Sequence, residues 1–163
     1  YNLLEVAKSE IGSNRKHRGN RYLTVIQYIL DMTQVFDELR RICTDDARVI
    51  FVVGRESNVR KTKFFNGEII ANLATRSSLW NAIFRQERVF TNRFGEGIYE
   101  DILHFLPNHA RQPDVIDPYT IATETLVSAH KYAPVDARGD LDNAISELRS
   151  VKPSPLFDLG IME

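Results

Sequence analysis

Cysteine occurs once in the 163 residues, as Cys43, which excludes an intramolecular disulfide and fits a reducing cytoplasm. Long apolar runs are missing too. No stretch approaches the roughly 18 apolar residues needed to span a bilayer, and no secretory signal opens the chain. The expectation is a cytoplasmic protein without membrane contact. Charge of one sign is scarce: the net charge is −1 with 26% charged residues, so a globally basic nucleic-acid binder is not indicated, although local basic patches remain open. Glycine never falls into a phosphate-cradling pattern, since the next glycine after Gly54 is Gly67. The sequence contains neither Gly-x-Ser-x-Gly nor His-Glu-x-x-His. The histidines His17, His104, His109 and His130 are scattered, and Cys43 has no partner at ligand spacing, so no metal site is expected.

What remains is an ordinary core-forming composition, 43% hydrophobic, in a length suited to one domain. After a short apolar pattern over 1–11 and a polar loop over 12–21, the period becomes helical from Tyr22. Val25, Ile29, Met32, Phe36, Leu39 and Cys43 recur at steps of three and four, flanked by Tyr28, Val35 and Ile42. Residues 47–54 then run without alternation through Val49-Ile50-Phe51-Val52-Val53. Such a strand is expected to be covered on both faces, in the middle of a sheet flanked by helices. A loop over 55–63 and a modest helix over 65–76 follow. Residues 80–91 and 98–106 alternate as a hairpin around Asn92-Arg93-Phe94-Gly95-Glu96-Gly97, with Trp80, Ala82, Phe84 and Phe90 on one parity. A linker over 108–117 leads to Asp117-Pro118, a helix start, with helices near 119–132 and 140–150 and a tail beyond. The expected organisation is an α/β unit over 1–107 and a helical extension over 108–163.

Two loops are basic. Arg15, Lys16, His17, Arg18 and Arg21 precede the long helix, with no acid among residues 12–21. Arg55, Arg60, Lys61 and Lys63 follow the apolar strand, with one acid among them. Either alone reads as solvated surface. Together, and with the second at the carboxyl end of a strand where open α/β sheets bind ligands, they point to a polyanion held through phosphate contacts.

The order of elements carries a resemblance. The long helix ends Phe36-Asp37-Glu38-Leu39-Arg40-Arg41-Ile42, the strand reads Arg48-Val49-Ile50-Phe51-Val52-Val53-Gly54, and the hairpin closes on Glu100-Asp101-Ile102-Leu103-His104-Phe105. Over residues 1–106 this resembles the segment downstream of the catalytic motif in DNA amino-methyltransferases. These are bacterial enzymes, of the restriction–modification kind, that methylate cytosine N4 or adenine N6 using S-adenosylmethionine. The resemblance implies a partial Rossmann-like sheet ending in an antiparallel hairpin, plus C-terminal helices, with double-stranded DNA as partner. It implies that Tyr1 is the tyrosine of the catalytic Pro-Pro-Tyr motif, stacking on a flipped base. It also implies that the two basic loops contact DNA phosphates. The rest of that motif and the glycine-rich cofactor motif are absent from the sequence, so an upstream segment or a partner chain would supply the cofactor site. The alternative is a non-catalytic nucleic-acid-binding or assembly subunit with a degenerate methyltransferase fold.

Overall fold

The computed structural model describes residues 20–77, 79–108 and 117–156. Helix α1 (Leu23–Ile42) runs first, and its spaced apolar residues form one buried stripe: Val25, Ile26, Ile29, Leu30 and Phe36 are in the core. Arg40 and Arg41 occupy its last turn, where cations suit the helix dipole. Strand β1 (Val49–Gly54) follows, then β2 (Glu56–Val59) and β3 (Thr62–Phe65), helix α2 (Asn66–Arg76), and the long strands β4 (Trp80–Thr91) and β5 (Gly97–Pro107). Helices α3 (Pro118–Ala129) and α4 (Val135–Ser146) close the chain, each followed by a short 3-10 turn.

The main sheet has the order β1-β5-β4, and both pairings are antiparallel. Val49 faces Phe105 across the ladder and Gly54 faces Glu100. One face carries the core. Phe36 of α1 meets Phe51 and Phe105 with ring centroids 5.0 and 5.8 Å away and Trp80 at 6.0 Å, so four aromatic rings fasten the first helix to all three strands. Helix α2 covers the same face farther along. At its first turn a Cβ on Gly67 would overlap the carboxylate of the buried Asp101, which is why the second helical position has no side chain. Helices α3 and α4 contribute Ile121, Ala122, Leu126, Leu141 and Ala144 to the same hydrophobic cluster. The tail returns to α1: Val151 is buried, and the Ser154 N–H and hydroxyl donate to the Asp31 carboxylate at 2.7 and 2.8 Å.

The described residues thus form a mixed α/β fold whose sheets are antiparallel, and three expectations about the strands change. The strand expected over 47–54 exists, but β1 lies at the sheet edge rather than in its middle. Val49, Phe51 and Val53 pack against the cluster, whereas Ile50 and Val52 on the other face are 51% and 50% exposed. A continuous apolar run records that both faces suit burial, not that this chain supplies both covers. The loop expected over 55–63 is mostly a second hairpin, β2–β3, turning at Arg60-Lys61 with φ of 49° and 64°. Positive φ at both central residues is the geometry that Asn-Gly normally signals, and arginine and lysine give no such signal. Finally, the pairing slips between Ala82 and Phe84. Trp80 and Ala82 therefore share the core face with Pro107 and Phe105, while Phe84, opposite His104, points outward and is 61% exposed.

Candidate functional site

Of the residues expected to contact DNA or base, Tyr1, Arg15, Lys16, His17 and Arg18 lie outside the described residues. The others divide into two groups. Arg21 and the Arg60-Lys61 turn come together. The Asn20 amide donates to the Asp140 carbonyl, and the Arg60 guanidinium pairs with the Asp140 carboxylate, so both approach the same turn of α4. Beneath them the hydroxyls of Tyr22 and Thr62 are 2.6 Å apart and buried, and the Tyr22 ring leans on Phe64. The β2–β3 hairpin is therefore seated against the start of α1. Arg21 and Lys61 are exposed cations with no ion-pair partner among the described residues.

Arg55 and Lys63 are committed elsewhere. Arg55 turns toward the long hairpin, pairing with Glu87 and with Asp101 and lying 5.0 Å from the Tyr99 ring centroid. Arg85 completes that network, donating to both Asp101 oxygens at 2.9 and 3.1 Å. Asp101 is 2% exposed and sits at the N-terminus of α2, so both guanidiniums and the helix dipole offset the cost of burying its charge. Lys63 lies across the β2–β3 hairpin from Glu56, 3.0 Å from its carboxylate. Arg55 is thus a structural ion-pair residue, and Lys63 is a cross-strand partner.

At the carboxyl end of β1 lies a pocket of about 380 Å³ that sequence reasoning did not assemble. Helix α1 supplies Thr24, Val25 and Tyr28, the strand supplies Val53 and Gly54, and the second hairpin and α2 complete it with Ser57, Phe64 and Asn66, among others. Its position follows from local interactions. The Asn66 side chain donates to the Gly54 carbonyl at 2.8 Å, and its N–H donates to the Arg55 carbonyl at 3.0 Å, so α2 starts where β1 ends. The Ser57 hydroxyl donates to Asn66 Oδ1 at 3.0 Å, fixing the hairpin to the same point. Burial holds the Tyr28 hydroxyl above its ordinary pKa, so it stays protonated. No charged side chain lines the pocket. A second cavity, of about 270 Å³ between α2 and α3, carries charge: Glu124 there is bonded to Arg76 and Lys63 to Glu56, while Glu68 has no ion-pair partner among the described residues.

Tyr28 was visible in the sequence only as a flank of the apolar stripe. Thr24, Ser57 and Asn66 carried no periodic or motif signal, because the β2–β3 turn that gathers them lacks the usual turn residues. No family model matches the chain, and neither a curated protein nor a solved structure matches it. The class that its geometry defines is a mixed α/β chain with helices and antiparallel sheets. Among the described residues no helix is long and apolar enough to cross a membrane.

Proposed function

We propose that this chain is the nucleic-acid-facing later half of a DNA amino-methyltransferase, which transfers a methyl group from S-adenosylmethionine to the exocyclic amino group of a flipped DNA base. The observation that carries the reading is a pairing. The two segments on which the resemblance rests, Arg48–Gly54 and Glu100–Phe105, are hydrogen-bonded neighbours in continuous register, from Val49 opposite Phe105 to Gly54 opposite Glu100. The bare outer face agrees with it. Ile50, Val52, Phe84 and Phe90 are apolar and exposed, and the second edge of β1 is unpaired among the described residues, as half of a larger sheet would leave them.

The strand-end pocket does not fit the cofactor. S-adenosylmethionine carries an ammonium, a carboxylate and a sulfonium, and a pocket without a charged side chain has nothing to pair with them. Cofactor binding is assigned to an upstream segment or a partner chain that completes the sheet at β1. This chain's share is the approach to DNA, through Arg21 and Lys61. The same open face also suits the second reading, a non-catalytic assembly subunit that docks through the sheet and binds nucleic acid without chemistry.

Titration of labelled duplex DNA with the 163-residue chain across a salt series tests the shared element of both readings. Binding is expected to weaken steeply with salt, and Arg21→Ala and Lys61→Ala are each expected to reduce the salt slope by about one unit. Affinity indifferent to salt and to both substitutions would remove the DNA partner. Methyl transfer to duplex DNA by the chain joined to its β1-completing half then separates enzyme from assembly subunit.

A further inference from the structure

The cavity between α2 and α3 is built by helical spacing. Glu68 and Asn72 stand four residues apart on α2, and Ile121, Thr125 and Ser128 follow at steps of four and three on α3, so one stripe of each helix lines the same space. Two tertiary contacts span the groove: Arg76 donates to both oxygens of Glu124, and the rings of Phe65 and Tyr132 meet at 5.4 Å. Charge in the lining is uneven. Arg76 neutralises Glu124 and Glu56 neutralises Lys63, which leaves one uncompensated carboxylate, Glu68. Neither Glu68 nor the Asn72 amide has a hydrogen-bond partner among the described residues. Ser128 places its one hydroxyl proton on the Thr125 carbonyl at 2.9 Å, which leaves lone pairs for a ligand. Phe65, Ile69 and Ile121 make the wall beside them apolar. A free carboxylate next to acceptor oxygens and hydrocarbon calls for a cation with an apolar part.

Metal ions do not suit this lining. Hard divalent ions want about six oxygen ligands, and no group of three or more His, Cys, Asp or Glu side chains that could hold a metal occurs among the described residues. An anion would meet Glu68 with no free counter-charge. Size excludes a nucleotide: small-molecule sites run upward from about 300 Å³, and this cavity holds about 270 Å³. The cation–π position on Tyr132 is already occupied, with Lys131 Nζ 4.8 Å from its ring centroid. Glu68 is left as the seat of the charge. We propose that this cavity binds an alkylammonium, a single primary ammonium on a short apolar stem, with its head on the Glu68 carboxylate and its stem against Phe65, Ile69 and Ile121. A lysine side chain and a free monoamine both present that group. Glu68 also lies in the first turn of α2, where its charge suits the helix dipole. That role needs no ligand, so binding rather than stability separates the two. The chemistry of the site is independent of the methyltransferase reading.

The test is a titration of the isotopically labelled chain at pH 7 with n-butylammonium chloride, n-butanol and sodium butyrate, followed by NMR shifts of the backbone amides of Glu68, Asn72 and Ser128. The ammonium is expected to give saturable shifts at these positions in the millimolar range. The alcohol and the carboxylate offer a similar stem without the positive head, and each is expected to bind at least about fivefold more weakly. Glu68→Gln keeps the shape and removes the charge, and should lose roughly tenfold in affinity with an unchanged spectrum away from α2 and α3. Ser128→Trp, at an exposed position in the lining, should block binding without unfolding the chain. The alcohol and carboxylate arms use the parent chain, so they decide the matter even if a variant does not fold. Nα-acetyl-lysine methylamide in the same series separates the two sources. Affinity at least tenfold above that of n-butylammonium supports a lysine side chain, and equal or lower affinity supports a free amine. The proposal is overturned by the absence of any saturable shift with n-butylammonium, by butanol or butyrate binding as well as the ammonium, or by a Glu68→Gln variant that binds like the parent. The duplex-DNA salt series reads Arg21 and Lys61 instead, so either idea can fail while the other stands.

Discussion

Arg60 and Lys61 hold left-handed backbone, with φ of 49° and 64°, at the tip of the β2–β3 hairpin. A residue with a Cβ costs roughly 1 kcal/mol in that conformation, and the pair of them forms a turn that Asn-Gly would make without strain. Replacing Arg60-Lys61 by Asn-Gly removes the ion pair to Asp140, worth less than about 1 kcal/mol at an exposed site. The double variant is therefore expected to gain on the order of 1 kcal/mol, seen as a higher urea midpoint at unchanged slope. A lower midpoint would mean that the Asp140 contact outweighs the backbone strain. The same two residues mark where the sequence was illegible. Charge at Arg60 and Lys61 is plain in the sequence, whereas the conformation that brings them beside Arg21 has no glycine or asparagine to announce it. Arg55 misled for another reason, since its partners Glu87 and Asp101 lie more than thirty positions away.

Helix α3 shows the opposite situation, an element written fully into its first residues. Asp117 accepts from the Tyr119 N–H at 3.0 Å, and Pro118 follows at the first helical position, as the Asp-Pro pair predicted. Arg149, donating to the other oxygen at 2.6 Å, lowers the Asp117 pKa, and the cap bond adds to the effect. A carboxylate whose pKa falls on folding stabilises the fold above its unfolded value, about 3.9, and loses that contribution as pH drops through the lower folded value. Asp117→Ala is expected to cost about 1 kcal/mol at pH 7. The gap between variant and parent should then close in acid, below about pH 4, in a series of thermal melts. A gap that persists unchanged at pH 2.5 would show that the charge is not what the helix uses. Helix α4 was less legible. It begins after Pro134 rather than near residue 140, because the Pro134 signal competed with Gly139 inside the helix. Its buried positions are Ala137, Leu141 and Ala144.

Across the whole molecule, all the described helices that meet the sheet do so on one face. The long helix, the hairpin and its turn were readable because periodicity and glycines are local signals. The edge position of β1 was not, since strand order depends on which partners reach which edge. The apolar run over Val49–Gly54 stated a demand for two covers, and only the inner one is met among the described residues. The candidate site divides along the same line. Its charges were legible, but the neutral pocket formed by Thr24, Tyr28, Ser57 and Asn66 depends on tertiary contacts.

The slip between Ala82 and Phe84 leaves Ile83 as a residue with no opposite number in the ladder. In a strand, adding or deleting one residue normally turns every following side chain inside out, so single-codon indels are among the least tolerated changes. Here the accommodation has already been made. Removing Ile83 would restore an unbroken ladder, with Ala82 still facing Phe105 and Phe84 still facing His104. The shortened chain is expected to fold with its midpoint within about 1 kcal/mol of the parent, whereas deleting Gln86 from the same strand should abolish cooperative unfolding. Strand β4 thus has a spare codon, and among relatives of this chain its length is the one expected to vary by a single residue at that point.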